Sequence, residues 1–172
     1  AGANIYGGTY RLLHKICNRS GIDVSLVDAA DPAKLSEAIQ SNTKLIWIES
    51  PGNPLMSITD IAACAAIASN AGILIGVDNT FATPSLTRPL DLGVDIVMHS
   101  ATKYLGGHSD ALGGALVVKS KELFDQLYFI QNATGNCMSP LDSFLISRGM
   151  KTLDLRVKAQ SESALTIANY LS

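Results

Sequence analysis

Lys103 sits where a lysine can do covalent chemistry. It follows an apolar run, Asp95-Ile96-Val97-Met98-His99, and a small-hydroxyl segment, Ser100-Ala101-Thr102. After it come Tyr104 and the glycine-bearing stretch Gly106-Gly107-His108-Ser109. An amine at the end of a buried strand is expected to be desolvated, which favours its neutral, nucleophilic form and lets it condense with an aldehyde. The flanking hydroxyls and glycine amides are of the types that hold a phosphate. A lone lysine is far more often a solvated surface charge, so the reading depends on what else the chain brings to the same place.

Three other segments bear on it. Ile73-Leu74-Ile75-Gly76-Val77 runs into Asp78-Asn79-Thr80. This reads as a buried parallel strand with a carboxylate at its C-terminal end, where ligands sit in open α/β sheets. Asp78 is then either a turn residue or a carboxylate that keeps a pyridine nitrogen protonated, the usual companion of a Schiff-base lysine in pyridoxal phosphate enzymes. The strand Leu45-Ile46-Trp47-Ile48 leads into Glu49-Ser50-Pro51-Gly52-Asn53-Pro54. The two prolines end strand pairing and shape a turn; either X-Pro bond could be cis, and the Asn53 amide would face a cofactor ring hydroxyl. Ile5-Tyr6-Gly7-Gly8-Thr9-Tyr10-Arg11 opens a helix. Its glycines admit close approach of a ligand, and Tyr6 offers a flat ring for stacking.

Taken in this order, the segments resemble the pyridoxal-phosphate enzymes of cysteine and methionine metabolism. That family includes cystathionine γ-lyase, cystathionine γ-synthase, cystathionine β-lyase, methionine γ-lyase and the homoserine sulfhydrylases. The likeness extends through Asp78-Asn79-Thr80-Phe81, Arg88-Pro89-Leu90, Leu92-Gly93, His99 to Tyr104, Gly107-His108-Ser109-Asp110 and Arg148-Gly149-Met150-Lys151-Thr152-Leu153. The resemblance implies pyridoxal 5'-phosphate as cofactor, with Lys103 as the Schiff-base lysine and general base. It implies Asp78 on the pyridinium nitrogen, Tyr6 stacked on the ring and able to move a proton, Asn53 at the ring oxygen, and Ser100 and Thr102 on the phosphate. It also implies a cytoplasmic homotetramer, a dimer of dimers, acting on a small amino acid.

Within the family, Arg11 bears on the substrate. It lies about one and a half helical turns beyond Tyr6, so both can reach one pocket, and arginine pairs bidentately with carboxylates. It is either a surface helix residue or the receptor for a distal carboxylate such as that of cystathionine or succinyl-homoserine. Methionine lacks that group, and methionine γ-lyases resemble one another in having cysteine where this chain has Gly8. Both points favour a cystathionine-handling enzyme over methionine γ-lyase but do not separate synthesis from cleavage; the reading taken is cystathionine γ-lyase-type cleavage at the γ-carbon. The alternatives are cystathionine γ-synthase, then cystathionine β-lyase, O-acetylhomoserine sulfhydrylase or methionine γ-lyase.

Composition limits the other classes. The chain has 172 residues, 47% hydrophobic and 16% charged, with a formal net charge of −2. Length and apolar content suit one core. The charge gives no reason to expect nucleic acid or an anionic membrane. Cys17, Cys64 and Cys137 are odd in number, far apart and without metal-ligand spacing, so they read as free thiols. His14, His99 and His108 are scattered, and no metal site is expected. A nucleotide-binding α/β domain would need a glycine-rich loop after its first strand, whereas the glycines here follow a lysine. A scaffold that has lost its chemistry is disfavoured by the presence of Lys103, Asp78, Tyr6 and Asn53 together.

The elements that must position these residues alternate between strand and helix. Helices are expected over Tyr6–Asn18, Pro32–Gln40 (capped by Asp31), Asp60–Asn70 (capped by Thr59 and stopped by Gly72), Lys121–Gln131 (capped by Ser120), Leu141–Ile146 and Leu153–Leu171. Strands are expected over Val24–Val27, Leu45–Ile48, Leu74–Val77, Asp95–His99 and Ala115–Val118. The pattern predicts an α/β fold, a mostly parallel sheet with helices on both faces. The resemblance makes it the large domain of the fold-type I, aspartate aminotransferase-like enzymes. Residues 1–152 are read as most of that cofactor-binding domain. Residues 153–172 are read as a helix leading toward a further C-terminal domain, because family members are about twice this long.

Overall fold

A computed structural model describes residues 1–172. Its centre is a four-stranded sheet of β1 (Leu45–Glu49), β2 (Leu74–Asp78), β3 (Ile96–Ser100) and β4 (Gly114–Val118), in that spatial order. The first three strands are parallel and β4 returns antiparallel. The parallel register pairs Glu49 with Asp78 and Asp78 with Met98. The C-terminal ends of β1, β2 and β3 therefore lie side by side, and the candidate residues of three distant segments meet there.

Helices surround the sheet. Three lie in the first half of the chain: α1 (Gly7–Arg11), α2 (Pro32–Glu37) and α3 (Ile61–Ala71). After β2 come α4 (Thr83–Leu86) and a 3-10 turn over Pro89–Leu92. The second half holds α5 (Lys121–Thr134), α6 (Pro140–Met150) and α7 (Leu153–Leu171).

The side chains of alternate strand residues point to opposite faces. Ile46 and Ile48, Ile75 and Val77, and Val97 face Ile61, Cys64, Ala65 and Ala68 of α3, and together form the main core. Ile48, Ile75 and Val77 are wholly or almost wholly buried, each contributing on the order of 1.5–3 kcal/mol of hydrophobic burial. The alanine-rich face of α3 lets the helix lie close to the sheet. On the other face the Trp47 indole lies across Gly76, where a Cβ would fall 2.6 Å from the ring. Around it Leu45, Leu74 and Leu116 remain 46%, 42% and 52% exposed.

Several sequence expectations are corrected. Val24–Val27 makes no strand; a single bridge joins Gly2 and Val27, since the local chain offers only the Ala1–Ala3 segment as a partner. The helix after Tyr6 is α-helical only to Arg11, then widens into a π-type turn over Leu12–Ile16 and tightens into a 3-10 turn ending at Ser20. Leu12 and Ile16 of this segment are 49% and 60% exposed, because nothing in this chain lies against them. The cap of α3 is Asp60, whose carboxylate accepts the Ala63 N–H at 2.9 Å, one residue later than expected. Gly72 does end that helix, in the left-handed conformation. Asp31 and Ser120 cap α2 and α5 as expected.

Candidate active site

Each candidate residue is placed by the end of a strand. Asp78 is the last residue of β2 and is buried. Its Oδ1 accepts the Thr80 N–H at 3.0 Å, the self-capping turn that a short carboxylate readily makes. Its other oxygen has no protein partner, and no cation pairs with it. Asp78 therefore makes the turn bond that its bland reading requires and still has an acceptor to offer a ligand.

Lys103 lies in a π-type turn over Ala101–Leu105, directly after β3. The turn kinks at Lys103, whose backbone is non-helical at φ −93° and ψ −120°. Ala101 and Leu105 point inward to a second apolar cluster with Ala111, Ile146, Leu153 and Val157. The Lys103 side chain points away from that cluster and is exposed, and its Nζ has neither a hydrogen bond nor an ion pair. The expected desolvated amine is thus not seen: the turn's apolar residues pack inward, but nothing in this chain covers the lysine.

Arg156, on α7, braces this turn from below. Its guanidinium donates to the carbonyls of Tyr104 at 2.9 Å, Gly149 at 2.7 Å and Leu105 at 3.5 Å, and its Nε donates to Thr152 Oγ1 at 3.1 Å. Gly149 on α6 lies so close to the Gly106 carbonyl that a Cβ on Gly149 would collide with it, and a Cβ on Gly106 would fall 2.8 Å from the Ala101 carbonyl oxygen. The Arg148-to-Leu153 motif thus acts as the floor of the lysine turn, a role that its residue types alone did not indicate.

Ser100 closes β3. Its N–H donates to Thr80 Oγ1 at 2.8 Å, tying the lysine strand to the loop after Asp78, and its hydroxyl makes no bond within the chain. Thr102 is committed differently. Its Oγ1 donates to the Gly113 carbonyl at 3.3 Å and accepts the Gly113 N–H at 3.1 Å. Of the two expected phosphate ligands, Ser100 is free to donate, and Thr102 would have to give up an internal bond.

Tyr6 and Asn53 meet at Glu49. Tyr6 is half exposed, and its ring lies over Gly8, where any Cβ would collide with it. Its main-chain N–H donates to Glu49 Oε2 at 2.7 Å. The Asn53 N–H faces the same carboxylate. Both X-Pro bonds of the Asn53 loop, Ser50–Pro51 and Asn53–Pro54, are cis. Burial pushes the Glu49 carboxyl up to about 7; the Tyr6 N–H opposes this, the neighbouring Asp78 charge adds to it, and the Asn53 N–H opposes it again. His99 is buried on β3, with its Nδ1 unpartnered, and burial lowers its pKa against the pull of Asp78.

Arg11 ends α1 with its guanidinium folded back beside Gly7, 3.6 Å from where a Cβ would stand there. It is exposed and makes no ion pair. Cys17, Cys64 and Cys137 are free thiols; burial raises the Cys64 thiol to about 11, which suits packing rather than nucleophilic chemistry.

The arrangement suits a flat, protonated heteroaromatic ring carrying a phosphate. The unfilled oxygen of buried Asp78 offers an acceptor to a ring N–H. The unbonded Ser100 hydroxyl offers a donor to an anion. Tyr6 supplies an aromatic face and Lys103 an uncommitted amine.

Comparison with known proteins agrees. A cystathionine gamma-lyase of Bacillus subtilis (strain 168) is 53% identical over 168 residues, covering 98% of this chain and 44% of that one. A probable cystathionine gamma-synthase of Herpetosiphon aurantiacus is 46% identical over 171 residues, covering 99% of this chain and 54% of its own length. The crystal structure of cystathionine gamma-lyase from Lactobacillus plantarum complexed with L-serine superposes with a TM-score of 0.97 at 48% identity, covering 99% of this chain and 45% of that one. The chain thus spans about half the length of the relatives it matches. With a family match running over residues 1–172, the chain belongs to the Cys/Met metabolism PLP-dependent enzymes.

Proposed function

We propose that the full-length protein is a transsulfuration enzyme that cleaves the Cγ–S bond of cystathionine, with Lys103, Asp78 and Tyr6 as its working residues. The single observation that carries this is the convergence of Asp78, Ser100 and the Lys103 turn at adjacent strand ends. The cofactor, when bound, supplies an electron sink for charge developing at the substrate α-carbon. Lys103 Nζ, free of internal partners, takes the α-proton and then a β-proton, whose bonding electrons allow the Cγ–S bond to break. The Asp78 carboxylate holds a proton on the ring nitrogen. The Tyr6 ring orients the cofactor face, and its hydroxyl delivers a proton to the departing sulfur. Asn53 faces the ring oxygen, and Ser100 and Thr102 take the phosphate. Arg11 receives the distal substrate carboxylate.

A second reading, γ-replacement of an O-acyl-homoserine by cysteine, is favoured by the name of the Herpetosiphon relative. The two reactions share their early proton transfers and part at what the γ-carbon receives once its substituent has left: a proton in elimination, the cysteine thiol in replacement. Residues 1–152 serve as most of the cofactor-binding domain, and residues 153–172 lead on toward the rest of the subunit. The protein works as a cytoplasmic homotetramer. A substrate panel on the full-length protein decides between the readings: cystathionine alone, cysteine alone, and O-acetyl- or O-succinyl-homoserine each with cysteine. Release of cysteine and a keto acid from cystathionine is the expected result. Net cystathionine synthesis without such release would establish the second reading, and inertness toward all of these substrates would overturn both.

A further inference from the structure

None of the roles above falls to Glu49, yet it is only 7% exposed and no cation pairs with it. A buried carboxylate is costly unless its oxygens are hydrogen-bonded. Here the hydrogen-bond partner is the main-chain N–H of Tyr6 at 2.7 Å, and the Asn53 N–H faces the same carboxylate. They belong to the segments whose side chains would meet the cofactor ring from two directions. The Tyr6 segment has few other anchors. Its helix buries no residue, and no side chain caps its start. Ile5 is buried just before it, and Asn4 bonds Ser57 Oγ at 2.5 Å.

We infer that Glu49 is a positioning residue: from the end of β1 its carboxylate grips the main chain at Tyr6 and so sets where that side chain stands against the cofactor. The inference rests on the pyridoxal-phosphate reading for what the Tyr6 side chain contacts, but the grip itself is a property of this chain. The charged groups around Glu49 are all acidic. Asp78 is its register partner on β2. Asp28 lines the same cavity of about 400 Å³ and is paired with Lys34. Across the sheet, His99 lies on the opposite side of Asp78. With burial holding the carboxyl at about 7, Glu49 gains its charge near neutrality. The grip tightens as pH rises through that value, because a carboxylate accepts N–H bonds more strongly than a carboxylic acid does.

The test uses the full-length protein carrying Glu49→Ala or Glu49→Gln, with and without pyridoxal phosphate. Hydrogen exchange of the peptide containing Tyr6, measured on the cofactor-free protein, reads the grip directly. Visible circular dichroism of the bound cofactor reads ring placement. In Glu49→Ala the Tyr6 amide should exchange at least about tenfold faster, the scale of a lost bond to a charged acceptor, and the visible ellipticity should fall with it. In Glu49→Gln one amide oxygen still accepts, so the loss should be smaller, and the wild-type change in ellipticity between about pH 6 and 8 should vanish. Unchanged exchange and ellipticity in Glu49→Ala would overturn the inference. Should that variant not fold, a Glu49→Gln protein that keeps the wild-type pH dependence would overturn it instead. Wild-type protein that binds no cofactor would remove the pyridoxal-phosphate reading, while the exchange measurement would still decide the grip.

Discussion

Asp78 and Arg11 separate the two halves of the chemical account at the residue scale. Replacing Asp78 with asparagine keeps a short side chain that can still accept the Thr80 N–H, so the fold should hold. The amide cannot supply the charge that keeps a ring nitrogen protonated, and turnover of the full-length enzyme should drop by at least about a hundredfold, as for other electrostatic site deletions. A near-normal turnover number would leave Asp78 as a turn residue only. Replacing Arg11 with leucine should spare folding, since the guanidinium holds no internal partner. It should lower the specificity constant for cystathionine by roughly 30- to 1,000-fold and that for O-acetyl-homoserine far less. Steady-state kinetics on both substrates checks this, and equal losses would make Arg11 structural.

Elements explain why the site assembles, and they show what the sequence could and could not disclose. The apolar runs ending in Asp78 and Ser100 were legible as strands, and a parallel register brings their ends together without further instruction. Caps were legible where a Ser or Asp stood alone, but where Thr59 and Asp60 stand together the choice fell to geometry. Arg156 was invisible, because the partners that tie it to the lysine turn, Tyr104 and Leu105, are carbonyls more than fifty residues away and main-chain carbonyls leave no mark in a sequence. Its carbonyl bonds make the α6–α7 corner the support of the lysine turn. Gly149→Ala should push Gly106 and that turn away, at a cost of about 1–3 kcal/mol for overpacking. Urea titration of the full-length variant would show it as a lowered midpoint, and an unchanged midpoint would mean the corner has slack.

Glu49 makes a second claim at this scale. Its carboxyl is raised in the folded protein from an ordinary 4.5 to about 7, so the folded state binds more protons than the unfolded one between those values. Its contribution to stability is therefore greatest at the acid end of that window. It declines as pH rises and is lost above about 7. Denaturant midpoints of wild type and Glu49→Gln should diverge as pH rises from 5 to 8 in favour of the glutamine variant, and parallel curves would remove the claim.

At the scale of the whole molecule, the exposed surfaces show that part of the candidate site is uncovered within residues 1–172. Lys103 is uncovered, one sheet face is partly open, and α7 is buried only at Leu153 and Val157 in its first turns. That is why the expected desolvation of the lysine could be read from its strand and yet is not met in this chain. Given cofactor, the 172-residue chain alone should therefore turn over no cystathionine; robust catalysis by it would show the site to be complete. No helix is long and apolar enough to cross a membrane.

The central claim is that Lys103 is the residue that holds the cofactor. Borohydride reduction of the full-length protein, followed by proteolysis and mass mapping, tests it most directly. The phosphopyridoxyl group should be found on the peptide spanning Ser100 to Tyr104, at Lys103, and Lys103→Ala should lose both the label and the visible band. A label on another lysine, or a wild-type protein that takes up no label, would contradict the account.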